Sequence, residues 1–178
     1  MRKAFLFVVL AALVVSLPAR AAAGQRSGEI GADVGYTDFD SDVTTESGTD
    51  FALRGGYNFT KLFEIEGQLA QSSASDSGAD ISMNTMMVNA VFNFHAKDTI
   101  IPYVLGGLGQ ANLEFDTPLG NVDDSAGAYQ LAFGTRFFFG ESQRAGLRVE
   151  LSTLSEKTFD ETSRHSGLNV GFTWKLGS

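Results

Sequence analysis

Large apolar residues alternate with small or polar ones along most of this chain, and the stretch 167–176 shows the pattern most clearly. The positions between its apolar residues hold Gly, Asn, Thr and Lys, and the apolar residues are Leu168, Val170, Phe172, Trp174 and Leu176. A period of two predicts a β-strand with one apolar face. In a soluble protein that face packs on a core. In a membrane barrel it contacts lipid, and the small or polar face lines the interior.

The same alternation predicts seven further strands, and helical periodicity is almost absent from residue 27 onward. The eight predicted strands are about 28–39, 50–59, 63–70, 80–94, 100–115, 127–139, 144–154 and 167–176. Short turns at 60–61, 95–98 and 140–143 alternate with longer polar, acidic segments. Outer-membrane barrels have this asymmetry, with tight periplasmic turns and longer external loops.

We therefore predict an all-β fold, an eight-stranded antiparallel transmembrane β-barrel built as an up-and-down meander. Both termini would be periplasmic and four loops external. Eight strands form a small barrel whose interior is just filled by side chains.

The apolar face carries no charge in any strand as we phase it, and the charged residues of the strands lie on the opposite face. They are Glu29, Asp33, Arg54, Glu64, Glu66, Glu114, Arg136, Arg148, Glu150 and Lys175. A Lys or Arg on the lipid face at mid-bilayer depth would cost about 2–4 kcal/mol. A soluble barrel such as a lipocalin would show the reverse, an apolar lumen and a charged outside. The charge pattern therefore favours lipid around the barrel.

Two central strands carry many apolar residues. On the fifth strand we assign to the lipid face Ile101, Tyr103, Leu105, Gly107, Ala111 and Leu113. On the fourth strand we assign to it Met86, Val88, Ala90, Phe92 and Phe94. Ile81 and Met83 are out of phase with Met86, which predicts a bulge or a change of face.

Aromatic residues cluster beside the predicted short turns. Nine of them would form a periplasmic interfacial girdle, namely Tyr57, Phe59, Phe63, Phe92, Phe94, Tyr103, Phe137, Phe139 and Trp174. Such girdles flank the apolar band of membrane barrels. A sparser ring near the other end would hold Tyr36, Phe51, Phe115 and Phe159.

The first 23 residues have the form of a secretory signal peptide. Arg2 and Lys3 precede an apolar run over 4–15, and the small residues 21–23 provide a cleavage site after Ala23, or alternatively after Ala21. A membrane anchor is the other interpretation, but the run is short for a bilayer core of about 30 Å. We predict a signal peptide over 1–23 and a barrel domain over 24–178.

Composition then excludes several classes of protein. Without residues 1–23 the chain holds 10 basic and 21 acidic residues, a net charge of −11. An acidic surface argues against nucleic-acid binding, which requires basic residues. The chain has no Cys, so a disulfide scaffold is excluded.

Three segments resemble the OmpA/OmpX-like outer-membrane β-barrel family. Residues 100–109 resemble its Pro-Tyr-Val-x-x-Gly-x-Gly strand, and 129–137 resemble the strand that follows. The terminal assembly signal of such barrels is matched at four positions, Asn169, Gly171, Trp174 and Leu176, although the chain continues through Gly177 and Ser178 rather than stopping on an aromatic residue. The resemblance implies location in the outer membrane of a Gram-negative bacterium, insertion by the barrel-assembly machinery, and a role in adhesion, envelope integrity or serum resistance.

Inward charges are the main candidates for chemistry. A lumen ion-pair network would comprise Arg54, Glu64, Glu66, Arg136, Arg148, Glu150 and Lys175. We interpret it as a buried network that plugs the lumen, because charges in a narrow, low-dielectric interior must pair. The alternative is a gate whose pairs exchange, which would make the protein a narrow porin-like channel for ions or small solutes.

The loop acids and the histidines provide weaker candidates. Asp38, Asp40 and Asp42 have the spacing of a calcium loop, but Val43 and Thr49 occupy the places of its Gly and Glu. A solvated loop is the plainer interpretation, and divalent-cation bridging to lipopolysaccharide phosphates is an intermediate one. His95 falls in a predicted short turn and is interpreted as an interfacial or solvent-facing residue.

His165 could share a strand face with Ser163, near Glu161, as a lipid-A-modifying enzyme would require, whereas Ser166 points to the opposite face.

From these observations we predict a structural or surface-interaction barrel that is not an enzyme, with no cofactor and no metal site. The channel is the second hypothesis and the lipid-A-modifying enzyme the third. The expected partners are outer-membrane lipid and lipopolysaccharide, with an extracellular ligand at the acidic loops and no nucleic acid. We expect a monomer.

Overall fold

The computed structural model describes residues 27–38, 47–76, 79–94, 99–117, 120–158 and 161–176. They form β1 (Ser27–Asp38), β2 (Ser47–Asn58), β3 (Phe63–Asp76), β4 (Ala79–Asn93), β5 (Ile100–Thr117), β6 (Gly120–Phe139), β7 (Ala145–Thr158) and β8 (Glu161–Leu176). Within these ranges no helix is long and apolar enough to span a membrane. The predicted signal peptide over 1–23 lies outside the described residues.

Each strand pairs antiparallel with the next, and β8 pairs with β1, so the sheet closes into a barrel. The closing ladder runs from Gly28 opposite Leu176 to Asp38 opposite Ser166. Closure pairs the backbone groups that an open sheet would leave unsatisfied in lipid. The predicted fold class is confirmed. We call the end that holds the start of β1 and the end of β8 the terminal end, and the opposite end the hairpin end.

Several strands continue further toward the hairpin end than the sequence predicts. β3 ends at Asp76 and β4 begins at Ala79; β5 ends at Thr117 and β6 begins at Gly120. The sequence predicts polar loops at about 72–78 and 116–125, and both predictions are wrong because most of these residues lie in strands. β8 begins at Glu161 rather than at 167. Apolar alternation is lost in these parts of the strands, although their backbone ladders continue.

The outer face of the barrel is apolar along its middle. Its exposed large side chains include Val34, Leu53, Leu131, Val149 and Val170, all on the face predicted to contact lipid. Outward-facing charges among the described side chains of the strands, such as Asp38, Glu114 and Arg164, lie toward the hairpin end. The interior is filled with buried polar and charged side chains in its middle and toward the terminal end.

The predicted phase of β5 is wrong. Tyr103, Leu105 and Leu113 are only 1–3% exposed and face the interior, whereas Val104 and Leu108 face outward. The other assigned residues, Ile101, Gly107 and Ala111, share the inward phase. β5 is apolar on both faces, so a period of two could not choose between them. The correction places Glu114 on the outer face and Tyr103 in the interior.

The bulge or change of face predicted in β4 is also wrong. The register with β5 continues without interruption from Asp80 opposite Asp116 to Asn93 opposite Tyr103. Ile81 and Met83 point inward because this part of the interior is apolar. There Met83 and Met87 form a buried cluster with Ala74, Ala111, Leu113 and Ala128, packed against Leu154.

Candidate functional site

The middle of the interior is occupied by a cluster of ion pairs that crosses the barrel. Arg54 on β2 contacts Asp33 on β1 and donates to Glu66 Oε1 (3.0 Å) and Glu150 Oε1 (2.8 Å). Arg148 on β7 donates to Glu66 Oε2 (2.6 Å) and Glu150 Oε2 (2.7 Å). Two guanidinium groups thus bridge two carboxylates, and strands that are not neighbours are tied together.

Tyr103 completes this middle cluster. Its hydroxyl donates to Glu150 Oε2 (2.6 Å) and accepts from Arg148 Nε (2.6 Å). Its ring lies 4.9 Å from the guanidinium carbon of Arg136 and 4.7 Å from that of Arg148, within cation–π range. Its assignment to the outer aromatic girdle is therefore wrong. Tyr103 lies opposite Gly134, which leaves room for the ring inside the barrel. This pairing is the signal for its inward position that the alternation did not provide.

A second cluster lies nearer the terminal end, around Arg136 on β6. Arg136 Nη1 contacts Glu29 Oε1 (3.0 Å) and Glu64 Oε2 (2.8 Å), and the Thr173 hydroxyl donates to Glu29 Oε1 (2.7 Å). Within the described residues, Arg136 Nε and Nη2, Glu29 Oε2 and Glu64 Oε1 are buried without a hydrogen-bond partner. This cluster is therefore less completely satisfied than the middle one.

The seven residues expected in the lumen network take different positions. Six of them lie in these two clusters, and Lys175 instead places its amine 3.5 Å from the centre of the Phe138 ring. Glu29 and Asp33 also belong to these clusters, although they were predicted only to face inward and not to join the network. Their inward position in the alternation is the sequence signal that could have assigned them to the network. Glycines make room for two of the buried acids. A Cβ on Gly56 would collide with Glu64, and a Cβ on Gly171 would collide with Asp33.

The space among these side chains is closed. Between Arg54, Glu64, Glu66 and Arg148 there is no room for a water molecule. Charges held this closely in a low-dielectric interior connect several strands of the barrel wall.

A third polar group lies toward the hairpin end. His165 Nε2 is 3.3 Å from Glu156 Oε1, and Ser163 lies on the same inward face. All three side chains are at least 95% buried. They face the lumen and not the lipid, so an acyl chain in the membrane does not contact them. The side chain of Glu161 lies outside the described ones.

The calcium-loop residues do not form a site in the described part of the chain. Asp38 is an exposed residue at the end of β1, Thr49 is exposed on β2, and Asp40, Asp42 and Val43 lie outside the described residues. Within the described ranges there is no group of three or more His, Asp or Glu residues placed to hold a metal ion. His95 also lies outside these ranges.

The other eight aromatic residues of the expected girdle lie on the outer face or at the turns of the terminal end. Tyr57 and Phe59 make an edge contact with centroids 4.9 Å apart, and Phe92 and Phe94 do so at 5.2 Å. Trp174 lies 6.3 Å from Phe172. Tyr36 and Phe51 are exposed near the hairpin end, while Phe159 and the side chain of Phe115 are outside the described set. That the eight residues mark a periplasmic interface stays a prediction.

The four residues of the expected assembly signal lie on both faces of the closing strand β8. Asn169 is inward and buried, Gly171 faces Asp33, and Trp174 and Leu176 face outward with 41% and 46% exposure. Their role in recognition stays a prediction, and Gly177 and Ser178 lie outside the described residues.

Comparison with known structures supports the same architecture. Neisserial surface protein A superposes with a TM-score of 0.74 at 13% identity, covering 86% of this chain and 100% of that one. The N-terminal barrel of OprF from Pseudomonas aeruginosa gives 0.58 at 19% identity, covering 85% and 99%. The attachment invasion locus protein Ail of Yersinia pestis gives 0.55 at 17% identity, covering 86% and 99%. At these identities the likeness shows the fold alone.

Sequence comparison identifies the family. No curated protein matches the chain significantly. The profile described as "Outer membrane protein beta-barrel domain" matches residues 7–175, which is nearly the whole chain. The closed eight-stranded barrel, its apolar outer face and this match agree, and the chain belongs to the outer membrane protein β-barrel family.

Proposed function

We propose that this protein is a surface-interaction and structural barrel of the outer membrane, with its hairpin end outside the cell and no catalytic role. The observation that carries the proposal is the unequal height of its wall. β5 and β6 contain 18 and 20 residues, whereas a tilted transmembrane strand needs about 9–11. The excess lies at the hairpin end, so this part of the barrel extends beyond the lipid.

The extended part also presents an open strand edge. β6 pairs with β5 from residue 120 onward, but its ladder with β7 begins only at Ala128 opposite Glu156. Residues 120–124 therefore lie beyond the ladder between β6 and β7 in the described part of the chain. Unpaired backbone groups on a strand edge can pair with a strand of another protein. This supports adhesion to an extracellular ligand over a purely internal role.

A shortened hairpin tests the surface role. Glu114 lies opposite Asp123, so replacing residues 115–122 with Asn-Gly should close the hairpin earlier without changing the barrel. We expect a gene-deletion strain that carries this variant to resist detergent like the complemented strain but to lose adhesion to epithelial monolayers. Glu141→Ala, in the exposed turn at the terminal end, serves as the matched control. Full adhesion by the shortened variant would contradict the proposal.

The channel hypothesis is disfavoured by the closed interior. In planar bilayers we expect no single-channel steps from the unmodified protein, and none from charge reversal of Arg54 or Arg136 alone. Replacing Arg54, Glu66, Arg148 and Glu150 together by Ala would empty the middle cluster and should provide a conducting control. Unitary steps from the unmodified barrel would establish the channel instead.

The enzyme hypothesis is disfavoured by the burial of Ser163, His165 and Glu156. Mass spectrometry of lipid A from strains with and without the gene should show the same acylation pattern. A pattern that changes with the gene, and is restored by the unmodified protein but not by Ser163→Ala, would support the enzyme.

The remaining parts of the proposal follow from family membership and charge. The protein would be exported by its signal peptide, inserted by the barrel-assembly machinery, and surrounded as a monomer by lipid and lipopolysaccharide. Acidic residues near the hairpin end would contact lipopolysaccharide phosphates through bridging divalent cations.

A further inference from the structure

A small cavity lies inside the barrel between the middle ion-pair cluster and the hairpin end. Its volume available to water is about 40 Å³, which is enough for very few water molecules or one ion. Oxygen-bearing side chains from several strands line it, among them Asp50, Ser72, Thr85, Gln130 and Asn169.

The buried charges of the described residues do not balance. Seven carboxylates are buried, against three guanidinium groups and one imidazole. Five of these carboxylates form ion pairs with Arg54, Arg136 or Arg148, and a sixth, Glu156, has the His165 imidazole as its partner at 3.3 Å. Asp50 is the remaining one. Its contact in the described part of the chain is a hydrogen bond from Ser72 Oγ to Asp50 Oδ1 at 2.8 Å.

A second buried polar group at the cavity lacks a hydrogen-bond partner within the described ranges. Asn169 is 4% exposed, and its Oδ1 accepts no hydrogen bond from any described residue. A buried carboxylate without a counter-charge and a buried amide oxygen without a donor are both unfavourable. One small cation beside Asp50 would supply the missing charge and give the Asn169 carbonyl a favourable contact.

The donor set indicates which kind of cation fits. Carboxylate, hydroxyl and amide oxygens suit hard cations, and Ca²⁺ sites usually hold several carboxylates among six to eight ligands. This cavity has one carboxylate, and its other oxygen donors are neutral. The imidazole of His165 also lines it, 3.3 Å from Glu156 Oε1. We propose that the cavity is a binding site for one monovalent inorganic cation, Na⁺ or K⁺, held by Asp50 together with neutral oxygens that include Asn169 Oδ1. Bound there, the cation ties β2 to β8 across the hairpin end of the interior.

Thermal unfolding of the full mature barrel in detergent micelles tests this site. Chloride salts of Na⁺, K⁺ and N-methyl-D-glucamine at one ionic strength separate specific binding from screening, because the organic cation is too large for the cavity. Ligand that binds only the folded state raises the unfolding temperature in a saturable way. We expect Na⁺ or K⁺ to raise the midpoint by several degrees relative to N-methyl-D-glucamine, and Asp50→Asn to lose that difference. Glu114→Gln, an exposed acid on the outer face of β5, should keep it.

Crystals grown in Rb⁺ provide an independent measurement on the unmodified protein, which remains informative if Asp50→Asn does not fold. An anomalous peak in the cavity beside Asp50 would support the site, and ordered water without a peak would overturn it. The same unfolding midpoint in all three salts, as expected if Asp50 is neutralised by a proton, would also overturn it. So would a cation dependence that Asp50→Asn retains.

Discussion

The ring of Tyr103 on β5 packs directly against Gly134 on β6. The two residues are opposite each other in the ladder, and a Cβ placed on Gly134 would lie 2.6 Å from Tyr103 Cζ and 2.6 Å from the backbone oxygen of Val149. This contact holds the Tyr103 hydroxyl between Arg148 and Glu150. The absence of a side chain at one position thus fixes an aromatic residue at the centre of the buried network.

We expect Gly134→Ala to lower the free energy of unfolding by about 1–3 kcal/mol, the usual effect of overpacking a filled interior. The neighbouring backbone oxygen cannot move aside as a flexible side chain could. Urea titration of the refolded barrel in micelles measures the change. Gly127→Ala on the same strand is the control, because a Cβ there meets no atom within 4 Å. Equal losses for the two variants would contradict the packing argument.

Arg136→Met should destabilise the barrel by about 3–5 kcal/mol, because it leaves Glu29 and Glu64 buried without a counter-charge. Neutralising both acids in the same chain, with Glu29→Gln and Glu64→Gln, should recover most of that loss. Unfolding free energies of the single, double and triple variants measure the coupling. Lys175→Met is the comparison variant. Because Lys175 is half-buried against Phe138, this substitution should lower the free energy of unfolding by less. A triple variant no more stable than Arg136→Met would refute the charge argument.

Val170→Arg should destabilise the barrel by about 2–4 kcal/mol if the outer face contacts lipid at mid-depth. Val170 is exposed at the middle of β8, opposite Val34 on one side and Val149 on the other. Ser166→Arg is the matched control on the same strand, because Ser166 lies opposite Asp38 toward the hairpin end and should cost about 0–1 kcal/mol. Unfolding of both variants in lipid vesicles makes the comparison. Equal costs would show that the two positions lie at the same depth.

Trp174→Asp should block assembly in cells more than it weakens a finished barrel, if β8 carries the recognition signal for insertion. Heat-modifiable migration of membrane fractions reports assembly, and refolding in vitro reports stability. Trp174→Phe keeps an aromatic residue at the same outward position and should assemble normally. Normal insertion of Trp174→Asp would count against the signal.

Alternation along the sequence was sufficient to predict the number of strands, their order and the lipid-facing side of seven of them. It failed at β5 because Tyr103 and Val104 are both suited to an apolar environment, so the choice of face depends on the ladder with Gly134. It also failed at the hairpin end, where the strands continue to Asp76 and Thr117 although the apolar alternation has ended. The face of β5 and the ends of the strands are determined by backbone pairing, which the spacing of hydrophobic residues does not reveal.

The buried charges were predictable as a set, because inward phase follows from alternation, but their partners were not. Arg54 pairs with residues on three other strands, and a period of two contains no information about which side chains meet across a barrel. The cavity beside Asp50 was not predictable for the same reason.

The ion pairs that cross the barrel also constrain how the chain folds. Arg54 and Glu150 are 96 residues apart, Glu66 and Arg148 are 82 apart, and Glu64 and Arg136 are 72 apart. Contacts of such long sequence separation slow folding, because much loop-closure entropy is lost before they form. A single hairpin inserted in lipid would lack the ion-pair partners that lie across the barrel, at a cost of several kcal/mol for each charge left unpaired. Charge pairing and closure of the β1–β8 seam are therefore expected to occur in one cooperative step, and partly inserted hairpins should not accumulate.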